Sequence, residues 1–155
     1  MTLEQELGKI ARSKAVTISL AESCTGGLAS DLITDVPGSS VYFLGAVVCY
    51  SDSSKVELLG VKEATIAYHG AVSEQCALEM AAGVRDRFQS SIGASVTGIA
   101  GPGGERPGKP VGLVHFAIDD GDNIWTERKL FEGDRSAVKR SAADHLIGII
   151  IRTLS

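Results

Sequence analysis

Ala15-Val16-Thr17-Ile18-Ser19-Leu20, running into Ala21-Glu22-Ser23-Cys24-Thr25-Gly26-Gly27, is the stretch that decides the fold. Its first six residues are rich in β-branched and apolar side chains and read as a short strand. The polar, glycine-bearing segment that follows makes a turn, and helical spacing resumes from about Thr25 to Ile33. Strand, turn and helix in so short a span open an α/β unit, in which the helix returns over the sheet to bury its apolar stripe.

The alternation continues on both sides. Leu3, Leu7, Ile10 and Ala11 put a helix over Leu3 to Arg12. Val41 to Tyr50 reads as a second strand, apolar enough to predict a central place in the sheet. A helix over Asp52 to Leu59 stops at Gly60, and Ser73 caps a longer one reaching about Phe88. Ala94 to Ile99 is a strand that enters the loop Ala100 to Pro110, where four Gly and three Pro exclude regular structure. Val111–Ile118 and Ile124–Phe131 pair as a hairpin through the turn at residues 119–123, and Asp134 caps a final helix ending near Leu154. The expected architecture is one domain over residues 1–155: a three-layer α/β/α sandwich with a mixed, largely central sheet.

Composition narrows the function classes. With 155 residues, 44% of them hydrophobic, the chain can bury a core without a disulfide or metal staple. Net charge is −4 with no run of Lys or Arg, so nucleic acid is not an expected partner, because backbone binding needs clustered cations. The longest apolar run, Leu146 to Ile151, is interrupted by Gly148 and far too short for a bilayer, so no membrane is expected either. Cys24, Cys49 and Cys76 are odd in number and widely spaced, with neither disulfide nor metal-ligand pattern. Together with the acidic start Met1-Thr2-Leu3-Glu4 they predict a cytoplasmic protein. His69, His115 and His145 are far apart, none with a second ligand at zinc spacing, and no metal or cofactor is expected.

Four segments can carry chemistry. The turn after the first strand offers free N–H groups and the hydroxyls of Ser23 and Thr25 for a phosphate or an oxyanion; its alternative is an ordinary helix cap. Pro37-Gly38-Ser39-Ser40, with Tyr50-Ser51 and Lys55 beyond the next strand, holds the parts of a serine nucleophile and its base. A desolvated lysine with a lowered pKa can take a hydroxyl proton, whereas an ordinary lysine is solvated at the surface. Thr97 and Gly98 end a strand just before the glycine-rich loop, where backbone can approach a ligand closely. Gly133-Asp134-Arg135 opens the last helix, where Arg135 either clamps a phosphate or pairs with a neighbouring carboxylate. Cys24 competes as nucleophile, though a small thiol is more often simply buried.

These segments, taken in order, resemble the CinA C-terminal domain family, which includes stand-alone nicotinamide-nucleotide amidases. The likeness rests on Ala21–Gly27, Val36-Pro37-Gly38-Ser39-Ser40, Val48-Cys49-Tyr50-Ser51, Lys55 with Leu59-Gly60-Val61, and Gly70-Ala71-Val72-Ser73-Glu74. It continues through Thr97–Gly104, Lys109-Pro110-Val111-Gly112 and Gly133-Asp134-Arg135, covering nearly the whole chain. The resemblance implies a three-layer α/β domain that hydrolyses nicotinamide mononucleotide to nicotinic acid mononucleotide and ammonia without a metal.

It also implies site residues: Ser40, Tyr50, Lys55 and Ser23 for catalysis, and Thr25, Gly26, Thr97, Gly98 and Arg135 for the nucleotide. The expected reaction has Lys55, helped by Tyr50, deprotonating Ser40, which attacks the carboxamide; Ser23 as nucleophile is the open alternative. A non-catalytic nucleotide-binding or competence-related interaction domain is the second reading, since Tyr50-Ser51-Asp52-Ser53-Ser54-Lys55 stands where many relatives read Tyr-Ser-Asn-Glu-x-Lys. The partners expected are a small-molecule nucleotide and a second copy of the chain in a homo-oligomer.

Overall fold

The computed structural model describes residues 1–155 and contains six helices and five strands. They are α1 (Leu3–Lys14), β1 (Ile18–Glu22), α2 (Leu28–Thr34), β2 (Phe43–Val48), α3 (Asp52–Leu59), α4 (Glu63–His69), α5 (Glu74–Phe88), β3 (Ile92–Gly98), β4 (Leu113–Asp119), β5 (Ile124–Leu130) and α6 (Arg135–Leu154). A single 3-10 turn, Ser39–Val41, precedes β2. The strands form one sheet in the order β2-β1-β3-β4-β5, parallel through β2-β1-β3 and antiparallel from β3 to β5. The mixed sheet and the hairpin agree with the sequence reading.

Two helical layers sandwich this sheet. Helices α1, α2 and α6 contact one another on one face, and their residues Leu7, Ile33, Leu146 and Ile147 join Leu20 and Phe116 in the main core. On the other face α3 and α5 cover the sheet, with Leu59, Met80 and Val84 packed against Ala21 and Cys49. Strands β1 and β3 are buried along almost their whole length, as covering on both faces requires.

The position of the second strand departs from expectation. The apolar run before Tyr50 is β2, and it lies at the edge of the sheet, with Leu44 and Val48 exposed. The reason is topological. β3 inserts on the far side of β1, so β2 has one neighbour only. The uncharged stretch Ser39–Ser51 therefore borders solvent, whereas the opposite edge, β5, carries Glu127, Arg128 and Lys129.

Helix α4 has no counterpart in the sequence reading, and α2 starts later than expected. In both, the cap comes from a glutamate outside the helix. Glu79 of α5 accepts from the Lys62 backbone N–H at 2.8 Å and from the Thr65 hydroxyl at 2.6 Å. Glu22, at the end of β1, accepts from the Ala29 and Ser30 N–H groups at 3.0 and 2.9 Å and from both hydroxyls, Thr25 at 2.6 Å and Ser30 at 2.5 Å. The position before α2 is Gly27, which has no capping side chain, so Ser23 and Thr25 are not the helix cap their type suggested. A fully buried carboxylate satisfied four times over ties the turn to the helix. Glu22→Ala is expected to cost about 3 kcal/mol, since it strands two helix N–H groups and two hydroxyls. Urea unfolding measures this; an unchanged midpoint would show that the turn holds itself.

Candidate active site

The fold creates one place where its connections part. From the carboxyl end of β1 the chain turns to α2 on one face, and from that of β2 it turns to α3 on the other. Open α/β sheets bind ligands where adjacent strands diverge in this way. An inner cavity of about 240 Å³ lies here, lined by Ser23, Cys24, Tyr50, Lys55, Thr97 and Arg135 among others. It shares seven lining residues, Tyr50, Asp52, Ala71, Val72, Gly98, Ala100 and Arg135, with a wider outer cavity of about 560 Å³.

Lys55 is the one buried cation among the residues that line the inner cavity. It sits on α3, which Ser51 caps through the Ser54 N–H, and its residue exposure is only 1%. Its Nζ donates to the carbonyls of Cys49 at 2.9 Å and Tyr50 at 3.2 Å. The chain's ion pairs join Arg140 to Asp144 and Glu127 to His145 and Arg152, so no carboxylate neutralises Lys55. Lys55 is therefore a cavity-lining side chain anchored by two backbone carbonyls, and it is not a solvated surface lysine.

The two candidate serines are separated by the sheet. Ser23 follows β1 directly, is buried, and lines the inner cavity with Lys55. Ser40 is exposed on the 3-10 turn before β2, at the opposite end of that strand. The extended strand puts it roughly 20 Å from Tyr50 and Lys55. Within one chain, contrary to the expected pairing, Ser40 is not brought to Lys55: the two are close in sequence order, but a strand reverses nothing, and a residue before it lies on the far rim.

The remaining residues divide in the same way. Tyr50 lines the cavity, but it meets Lys55 through its carbonyl; its hydroxyl accepts from Arg135 Nη2 at 3.0 Å. Arg135 also donates through Nη1 to the Gly101 carbonyl at 2.6 Å, so its planar fork ties α6 to the glycine-rich loop and to Tyr50. Thr97 lines the inner cavity, and its hydroxyl donates to the Ala71 carbonyl at 3.0 Å, fixing the loop between α4 and α5 as a wall. Gly98 lines both cavities, and its lack of a Cβ is required: one would stand 2.7 Å from the Leu113 carbonyl oxygen.

Thr25 and Gly26 are not among the residues lining either cavity. Thr25 is buried with its hydroxyl on Glu22, and Gly26 is exposed at the turn, φ +63°, opposite Lys139 of α6. Both serve the bend that presents Ser23. Sequence reasoning passed over Glu22, which organises that bend, although it stood inside the quoted motif. It also passed over Ala71, Val72, Arg106 and Lys109, which nothing local marks as cavity residues.

Cys24 is eliminated as nucleophile by its environment. Burial pushes its thiol up to about 12, with the Glu22 charge adding to this and Lys55 and Lys139 opposing it, so it stays protonated at neutral pH. The histidines take no part: His69 is exposed at the end of α4, His115 lies on β4, and His145 packs against Glu127.

Fold and pocket together define a class: a three-layer α/β domain whose switch-point crevice is lined by a buried lysine and a buried serine. A family profile described as CinA C-terminal domain matches residues 1–154. The chain belongs to the CinA C-terminal domain family. It is 47% identical over 151 residues to a CinA-like protein of Desulforapulum autotrophicum, covering 97% of this chain and 36% of that one. To nicotinamide-nucleotide amidohydrolase PncC of Escherichia coli it is 42% identical over 149 residues, covering 95% of this chain and 90% of the relative. The chain thus spans little more than a third of the CinA-like relative and nearly all of the amidohydrolase. Among solved structures, a competence or damage-inducible protein from Enterobacter asburiae superposes with a TM-score of 0.95 at 33% identity, over 99% of this chain and 96% of that one. No helix of the chain is long and apolar enough to cross a membrane.

Proposed function

We propose that the protein hydrolyses the carboxamide of nicotinamide mononucleotide to nicotinic acid mononucleotide and ammonia, with Ser23 as nucleophile and Lys55 as general base. The observation that carries this reading is the Lys55 amine, buried without a counter-ion and held by two carbonyls beside the cavity that Ser23 lines. The similarity to an amidohydrolase along nearly the whole length of both chains supports the choice of reaction.

In this mechanism the Lys55 lone pair accepts the Ser23 hydroxyl proton as the oxygen attacks the carboxamide carbon. The backbone N–H groups of Cys24 and Thr25, which donate to no backbone carbonyl, are the candidate donors for the oxyanion. The Lys55 ammonium then returns its proton to the amide nitrogen, the C–N bond breaks and ammonia leaves. Water, deprotonated by the same amine, attacks the acyl ester and releases the carboxylate product with Ser23 regenerated. Tyr50 and Arg135 act by position. Their hydrogen bond closes one side of the cavity, and the Tyr50 carbonyl orients the amine.

The deciding experiment is ammonia release by the purified protein with nicotinamide mononucleotide, read alongside ligand-induced melting. Ammonia production matching nicotinic acid mononucleotide supports the amidase. A melting shift without ammonia supports instead a binding module in the cytoplasmic competence or damage response. Neither effect would dismiss both.

We also propose that the chain forms a homodimer through β2. An uncharged, apolar edge strand invites a partner with no charge to satisfy, and a second β2 across a two-fold axis is such a partner. Leu44→Lys is expected to reduce the solution mass to the 16.2 kDa of one chain, as light scattering would show. A wild-type protein already monomeric at micromolar concentration contradicts this interface.

A further inference from the structure

The outer cavity has a charge that the reaction does not use. The chain as a whole is acidic, at −4, yet three of the residues lining this cavity are cations, Arg106, Lys109 and Arg135, against one carboxylate, Asp52. Arg135 spends its guanidinium on Gly101 and Tyr50, as described above. Arg106 and Lys109 are different. They face each other across a tight hairpin closed by Pro107-Gly108, with the Arg106 N–H donating to the Lys109 carbonyl at 2.9 Å and the reverse bond at 2.8 Å. The Lys109 amine is further held by the His69 carbonyl, which sets the hairpin against the end of α4. The Arg106 side chain is exposed and forms no ion pair.

We infer that the Arg106–Lys109 hairpin is the phosphate subsite, taking the 5′-monophosphate of the nucleotide whose carboxamide reaches Ser23. This rests on the amidase reading for the identity of the nucleotide, but not for the presence of the subsite. The two cavities are adjacent and share Tyr50, Gly98 and Arg135 as walls, so a ligand with its ring in the inner space would extend its ribose outward along the glycine-rich loop. A phosphate dianion at the far end meets a planar guanidinium and an ammonium on one rigid turn, a combination that suits its three oxygens. The expectation that Arg135 clamps the phosphate is replaced by a division of labour, in which Arg135 builds the wall and the hairpin binds the anion. The substrate class follows: phosphorylated ribosides are preferred over the free riboside and over the free pyridine carboxamide, which leave the hairpin unpaired.

Ribose 5-phosphate tests the subsite without chemistry. Calorimetry or NMR titration is expected to show binding to the wild-type protein, weakened at least tenfold in Arg106→Ala/Lys109→Gln and unchanged in Lys139→Gln, whose amine lies outside the cavity near Gly26. Arg106→Glu alone, at an exposed position, is expected to abolish binding, which covers the case of a double variant that folds poorly. In the ammonia assay, KM for nicotinamide mononucleotide should rise at least tenfold with kcat little altered. Equal ribose 5-phosphate affinity in wild type and Arg106→Glu, or no binding to the wild type at all, overturns the subsite. If binding is lost in the variants while no form of the protein ever releases ammonia, the amidase reading fails and the phosphate subsite stands.

Discussion

Replacing Ser23 by alanine is expected to lower ammonia release by about 10⁴-fold or more, because without the hydroxyl no acyl ester forms and only bound water is left to attack. Ser40→Ala is expected to leave turnover essentially unchanged, since Ser40 stands on the opposite rim of the sheet. Cys24→Ala should likewise retain activity, as a thiol pushed up to about 12 supplies almost no thiolate at neutral pH. The three variants together separate the possible nucleophiles. Rapid-quench mass spectrometry of the wild type should find the acyl group on the peptide containing Ser23. A Ser23→Ala protein that turns over normally while Ser40→Ala is dead would transfer the chemistry to Ser40 and require a large rearrangement or a second copy to bring it to Lys55.

Lys55→Met carries the second large effect. The substitution keeps an unbranched side chain of similar length, so packing on α3 is nearly retained, and the loss is of one nitrogen. With it go the proton acceptor for Ser23 and the donor to the departing nitrogen, and kcat is expected to fall by about 10³-fold or more. Nucleotide affinity should change little, because the inferred phosphate site is elsewhere. Stability responds in two opposing ways. The carbonyls of Cys49 and Tyr50 lose their shared donor, while a buried amine with no carboxylate partner is removed. A melting temperature that rises as activity disappears would identify Lys55 as a residue kept at a cost to the fold for the sake of the reaction. A Lys55→Met protein with near-normal kcat would remove the basis of the proposed mechanism.

The structure also shows where the contacts of the motif residues run. Thr25 and Gly26 belong to a motif that reads as a ligand loop, yet their contacts run inward to Glu22 and outward to α6. Thr97 and Arg135 reach the cavity, but each hands its hydrogen bonds to backbone carbonyls or to Tyr50, so their effect on a ligand passes through the walls they hold. Around the inner cavity, most polar side chains are committed to shape.

Period and punctuation in the sequence determined the strands, the hairpin, the three layers and the family, because these follow from neighbours a few residues apart: β-branched runs, helical spacing, Ser73 and Asp134 at helix starts. Ser23, Tyr50 and Lys55 were legible as motif residues, and all three line the inner cavity. Their assembly was not. The sheet order put β2 at the edge; the direction of that strand sent Ser40 to one rim and Tyr50 with Lys55 to the other. Glu79 of α5 capped α4 from another helix, and only the packed chain could bury Lys55 without a counter-ion. The physical reason is one of range. Local spacing sets which backbone conformation is cheap, whereas burial, capping from afar and the meeting of two side chains depend on which strand ends lie side by side, a property no single segment carries.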